Sequence, residues 1–332
     1  MEMNYEEFLK KVVQDFKEQM PAAEIGIQNV EKMQGESYRG IYVMQEGSAV
    51  RATMNLEWAY EQMQDGVPYE EVLSGITKQA ADALEQGTRL PVEELRDFES
   101  CSGRLAISIV SIKGNEPMLE NIPYRQMEDM ALIARIDLDT LTSAKVTKAM
   151  VETFGITEDQ LFDRAFANAQ ELHPASIRTM AEMLGMPSMG GPDLYVATTD
   201  DGVKGASVIA YPGFMEEASK LMGGNFYILP SSVHEVLLLS EKEAPGCSEL
   251  EAMVRSINQA EVAPQDRLSD HVYHYDCREK VFERADSYED RMAEKAREHN
   301  AEKGLGKLKE KKAEASLQPR HPSGRGKEAV VL

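Results

Sequence analysis

Residues 225–239 read Asn-Phe-Tyr-Ile-Leu-Pro-Ser-Ser-Val-His-Glu-Val-Leu-Leu-Leu, two apolar runs (226–229 and 236–239) around a polar break. Short apolar runs bounded by turn residues are how paired, buried strands read. Pro230, Ser231 and Ser232 supply the reversal. The spacing therefore predicts a hairpin at the centre of a sheet, and the rest of the chain has to cover it.

The N-terminal side begins with Tyr5, Phe8, Leu9, Val12, Val13 and Phe16, one helical stripe that stops at Met20-Pro21. Alternation predicts strands over 25–30 and 38–44. Asn55 opens a helix closed by Asp65-Gly66, and Pro68 starts another with Gly87 as its C-cap. A strand is expected over 105–112. Further strands are expected over 130–138 and 144–151. Thr157 and Gln160 have capping-box spacing ahead of a helix that His173-Pro174 breaks. A short helix over 177–184 and a loop over 186–192 follow. Then come strands over 194–198 and 206–211, a helix over 212–222 stopped by Gly223-Gly224, the hairpin, a helix over 248–259 and a strand over 271–275. Strands joined by short turns, with helices between the pairs, define an α+β fold with mainly antiparallel sheets. The expected organisation is an N-terminal lobe (1–113), a C-terminal lobe (114–286) and a charged tail (287–332). That tail passes from a solvated helix to a basic disordered end over 318–327.

Composition bounds the function. With 42% hydrophobic and 28% charged residues the 332-residue chain is globular, and no apolar run approaches the roughly 20 residues that span a bilayer. The start, Met1 to Glu7, is acidic and unlike a secretory signal. Cys101, Cys247 and Cys277 are odd in number and far apart, which suits free thiols in a reducing cytoplasm. The net charge is −21, yet from Ser287 onward there are 11 Lys/Arg against 8 Asp/Glu. So acidic a body repels nucleic acid and membranes, which leaves the tail as the one place for nucleic-acid contact.

Ser231, Ser232, His234 and Glu235 place hydroxyl, imidazole and carboxylate groups within five residues. A triad, however, is assembled from distant segments, and no Gly-x-Ser-x-Gly elbow surrounds these serines. A structural turn is the plainer expectation. The alternative is a serine-type hydrolase in which Ser231 or Ser232 takes a histidine from elsewhere, His271 or His274 being nearest. His234-Glu235 begins like a zinc-protease helix, but Leu238 stands where the second histidine belongs. Among His271, His274, Asp276 and Cys277, only His274 and Asp276 fall on one side of a strand, a weak metal pair; a solvated edge strand is the expectation. No phosphate-binding or dinucleotide-binding glycine motif occurs, so no cofactor is expected. The 19 methionines read as core filling.

Four passages carry a family resemblance: Met3-Asn-Tyr-Glu-Glu-Phe8; Gly155-Ile-Thr-Glu-Asp-Gln-Leu161 with Ala165 and Asn168; Tyr227-Ile-Leu-Pro-Ser-Ser-Val-His-Glu-Val236; and Leu268-Ser-Asp-His-Val-Tyr-His-Tyr-Asp276. Over residues 1–276 the chain resembles the uncharacterised clostridial family called domain of unknown function 5688. That resemblance implies a cytoplasmic protein of gut bacteria, often encoded near mobile elements. It implies no activity and transfers no catalytic residue. The resulting expectation is a non-enzymatic adaptor or accessory factor whose partner is another protein.

Overall fold

The computed structural model describes residues 3–31, 37–45, 51–89, 92–138, 143–185, 193–230 and 232–317. Ser231, the loop at 186–192 and the basic end from 318 lie outside them. The chain divides into two compact units, Met1–Glu283 and Arg284–Leu332.

Helix α1 (Tyr5–Gln19) starts at an Asn4–Glu7 capping box and buries Phe8, Leu9, Val12 and Phe16. Strands β1 (Ala23–Glu31), β2 (Ser37–Gln45) and β3 (Arg51–Asn55) form an antiparallel sheet in that order. The side chain of Asn55 accepts the amide hydrogens of Glu57 and Trp58, which caps α2 (Leu56–Gln64). Helix α3 (Tyr69–Arg89) runs two residues past Gly87, the expected stop. Ile25, Ile41, Val43, Ala52 and Met54 pack with α1–α3 into one hydrophobic core.

A 3₁₀ turn (Val92–Arg96) and α4 (Phe98–Ser102) lead to β4 (Leu105–Ser111), which is buried along its whole length. After α5 (Glu116–Glu120) come β5 (Tyr124–Met127), β6 (Met130–Asp137) and the short β7 (Ser143–Lys145). Strand β6 pairs antiparallel with β4, β5 and β7. The strand expected over 144–151 is therefore one short strand and then helix α6 (Lys148–Phe154). Thr147 decides this: its hydroxyl accepts the Met150 amide hydrogen, and a Thr N-cap commits the next turn to helix. Helix α7 (Glu158–Leu172) opens with the Thr157–Gln160 capping box and ends at His173.

Two further expectations are corrected. The helix at 177–184 is strand β8 (Ala175–Thr179) and a single capped turn, α8 (Met180–Met183). After β9 (Leu194–Thr199), the strand at 206–211 is a 3₁₀ segment, Gly205–Ala210. In that segment Gly205 to Ile209 are all buried, so an alternating pattern carried no information about its conformation. Helix α9 (Phe214–Met222) ends on left-handed Gly223, as read.

The hairpin is β10 (Phe226–Leu229) and β11 (Val236–Ser240), antiparallel, with Ile228 opposite Leu238. Phe226, Ile228, Val236 and Leu238 are all fully buried, each worth about 1.5–3 kcal/mol of apolar transfer. Their neighbours Tyr227, Leu229, Leu237 and Leu239 are buried as well, which is why both strands read as unbroken apolar runs. Helix α10 (Cys247–Ala260) precedes β12 (Tyr273–Asp276) and β13 (Val281–Arg284). The six strands lie in the order β13-β12-β10-β11-β9-β8, so β12 is internal and buried rather than a solvated edge. Strand β13, which the sequence pattern does not announce, covers its outer side.

The second unit contains α11 (Ala285–Leu317). Among the described residues no helix is long and apolar enough to cross a membrane.

Candidate functional site

The serine corner is stitched by its own polar atoms. The Ser232 hydroxyl oxygen accepts the His234 amide hydrogen at 3.0 Å, and the Ser232 amide donates to the Glu235 carbonyl at 3.3 Å. The Thr198 hydroxyl donates to the His234 carbonyl at 2.7 Å, and the Val233 amide to the Asp266 carbonyl at 2.8 Å. The His234 ring uses Nδ1 to accept the Lys204 amide hydrogen at 3.2 Å, while Nε2 lies 3.7 Å from Asp266 Oδ1. Lys204 has a left-handed backbone (φ 54°), an unusual conformation for a residue with a side chain. The corner thus joins the end of β9 to the loop before β12.

His274 and Asp276 serve different local ends. His274 has no exposed surface, packs edge-on against Tyr227, and keeps Nε2 3.7 Å from Glu241. Burial pushes its imidazole below the ordinary range, against the pull of Glu241 and Asp276. Asp276 accepts the amide hydrogens of Arg278 and Glu279 at 3.0 and 3.2 Å, which forms the turn into β13. Among the described residues no group of three or more His, Cys, Asp and Glu is placed to hold a metal ion.

Two polar centres come from residues that the sequence did not single out. At the β5–β6 turn, where Glu128 has φ 57°, the Asp129 carboxylate accepts the Tyr273 hydroxyl and, at 2.9 Å, the Ser269 hydroxyl. Burial, then Asp129, pushes the Tyr273 phenol far above its ordinary range, so it remains a donor. Asn258 on α10 donates to the Ser269 carbonyl (2.9 Å) and to Asp270 (2.8 Å). This staple bounds a cleft of about 360 Å³ lined by the 111–114 and 264–271 loops and Asp129.

The second centre surrounds His173. Its Nε2 lies 2.6 Å from Asp137 and its Nδ1 2.9 Å from Asp201. Arg135, only 4% exposed, donates to the other Asp137 oxygen at 2.8 Å and to the Ile107 carbonyl and the Ser108 hydroxyl. His173 thus has a carboxylate at each ring nitrogen, and an Arg135 guanidinium nitrogen lies 2.8 Å from its Nε2. The Asp137 bond chiefly holds the His173 pKa above the imidazole range, against burial. Burial pushes Asp137 up, but His173 and Arg135 outweigh it and hold it below the carboxylate range. Burial, with Arg135 adding to it, lowers Lys204 nearby. A ring held at both nitrogens clamps the end of α7. In the sequence His173 showed only as a helix breaker, because its partners lie 28 and 36 residues away.

The sequence matches the family of unknown function DUF5688 over residues 5–277. The chain belongs to this family. No curated protein and no solved structure matches it. The DUF5688 region takes in the serine corner, the Asp129 cleft and the His173 centre, and it stops before β13 and α11.

Proposed function

We propose that this DUF5688 protein is a cytoplasmic, non-enzymatic accessory factor that works by docking onto another protein. The observation that supports this reading is the outer face of the β1–β3 sheet. The helices that pack on this sheet, α1–α3, cover the side bearing Ile25, Ile41 and Val43. The strand register puts Tyr42, Gly26 and Thr53 in one row on the other side, with Met44 and Arg51 in the next. Tyr42 lies over Gly26, where a Cβ would come within 2.6 Å of the phenol. The Arg51 guanidinium sits 4.3 Å from the Tyr42 ring centre and donates to Gln28 at 3.0 Å, and Gln28 donates to Thr53 at 3.1 Å. A tyrosine–arginine pair held this way loses little side-chain freedom on binding, and these residue types carry most interface energy.

Nucleic-acid contact through residues 287–332 is a weaker reading. Residues 287–332 carry 11 Lys/Arg against 8 Asp/Glu, a surplus of only three cations with which to neutralise phosphates. A hydrolytic reading needs a serine hydroxyl near an imidazole, and Ser232 instead serves its own turn.

The test is a photo-crosslinking amino acid at position 42 in the native host, with a second at exposed Lys78 on α3 as reference. A dominant adduct at 42 that is lost on Arg51→Glu is expected. Equal labelling from 42 and 78 would refute the docking face.

A further inference from the structure

Lys204, beside the His173 centre, is a cation that neither the clamp nor the docking face uses. We infer that it is a carbamylation site: its amine takes up carbon dioxide reversibly, and the carbamate so formed is held at the Ser143 hydroxyl.

The strand register places the surrounding groups. On β7, Ser143 and Lys145 stand directly opposite Asp137 and Arg135 of β6, and cross-strand partners share one face. Lys204 reaches that face from 61 residues away, where its Nζ donates to the Ser143 hydroxyl oxygen at 2.8 Å. Its left-handed backbone is fixed on both sides: the amide donates to His234 Nδ1, and the carbonyl accepts the Ser207 hydroxyl at 3.0 Å. The carboxylates of the centre are already occupied. Asp137 accepts Arg135 on one oxygen and lies against His173 on the other. Asp201 accepts the Thr199 hydroxyl and the Val203 amide hydrogen on one oxygen, with His173 at the other. Among the described residues neither Lys204 nor Lys145 forms an ion pair; Lys204 meets the Ser143 hydroxyl, and Lys145 the Met118 sulfur.

A half-buried lysine without a counter-ion is pushed toward its neutral form. Burial acts most, Arg135 and Lys145 add to it, and Asp137 opposes them. The neutral amine has the lone pair that a nucleophile needs. That pair forms the N–C bond to carbon dioxide, one C–O π bond opens onto oxygen, and the nitrogen releases one proton to solvent. Nothing is oxidised or reduced, and dissolved bicarbonate supplies the carbon dioxide. The step turns a cation set among cations into an anion. An ammonium at this place is repelled by Arg135 and Lys145, whereas a carbamate is attracted by both. The Ser143 hydroxyl then changes from acceptor to donor without leaving its strand. This reversal of sign favours carbon dioxide over an aldehyde or an acyl donor, since an imine or amide leaves the two flanking cations unanswered. Carbon dioxide is also small and uncharged, so it reaches an amine that is only partly open to solvent.

The test equilibrates the full-length protein with isotopically labelled bicarbonate at neutral pH, fixes carbamates with triethyloxonium, and maps the ethyl carbamates by peptide mass spectrometry. Labelled carbamate at Lys204, several-fold above that at exposed Lys78, is expected. Lys145→Gln changes an exposed position, so circular dichroism should match wild type while Lys204 occupancy falls several-fold. Lys10→Gln on α1 should leave that occupancy unchanged. Labelling at Lys204 no greater than at Lys78 in wild type, which needs no variant to fold, would overturn the assignment. Occupancy in Lys145→Gln equal to wild type would overturn it too, because the flanking cations would then have no part in it.

Discussion

Replacing Gly205 by alanine should be among the most damaging single-methyl changes in this chain. An added Cβ would lie 2.1 Å from Thr198 Oγ1, 2.5 Å from the Thr199 amide nitrogen and 2.6 Å from the His234 carbonyl oxygen. Two of these neighbours are backbone atoms, one at the end of β9 and one in the serine corner, so they cannot rotate away. The third, Thr198 Oγ1, could turn aside only by giving up its 2.7 Å hydrogen bond to His234. Overpacking a tight core costs about 1–3 kcal/mol, and a lost buried hydrogen bond adds about 1 kcal/mol, so a total of roughly 2–4 kcal/mol is expected. Gly75→Ala is the internal control. It sits exposed within α3, nothing lies within 4 Å of its added Cβ, and alanine there should stabilise by about 0.5–1 kcal/mol. Urea unfolding of both variants reads the difference as shifts of opposite sign. A Gly205→Ala midpoint within error of wild type would mean that the end of β9 and the serine corner are not in contact as described.

Other outcomes follow from the polar centres. His173, held above its ordinary pKa, contributes stability below about pH 6.5 that is lost as pH rises through its folded value; Asp137 and Asp201, held below theirs, contribute above about pH 4 that is lost as pH falls through their folded values. Stability should therefore be greatest between about pH 4 and 6.5 as far as this centre is concerned, and His173→Gln should flatten the alkaline limb of a urea-midpoint profile; an unchanged limb would remove the clamp from the account. Ser232→Ala should cost about 1 kcal/mol, one turn hydrogen bond, and wild type should take no label from a fluorophosphonate probe. Stoichiometric labelling at Ser232 would restore the hydrolase reading.

Much of this architecture can be read locally. Thr157 with Gln160, Asn55 before α2 and the left-handed Gly223 after α9 are short-range devices, and each stands where its spacing put it. The misread segments share a different physics. Residues 177–184 and 206–211 carry apolar side chains in runs too short for the helical and strand periods to separate, and tertiary contacts chose between them. Strand β8 pairs with β9 along Ala175–Thr179, a partner that follows the masking Pro174 and only becomes available after the chain has turned back.

The polar centres were hidden for a related reason. Tyr273 and Ser269 reach Asp129 across 144 and 140 residues, so nothing near any of the three announces the others. The text around Ser232 and His234 packs reactive residue types into a few positions, yet a tight corner spends such polar groups on its own backbone. Ser232 and His234 do meet, but through hydroxyl and backbone amide rather than hydroxyl and ring. Distinctive sequence here marks the place where β9, the 3₁₀ segment and the loop before β12 must be joined at close range. Gly205 and Thr198 are needed for that joint as much as the serine and histidine are, because it is their small volume and their hydroxyl that let the corner close.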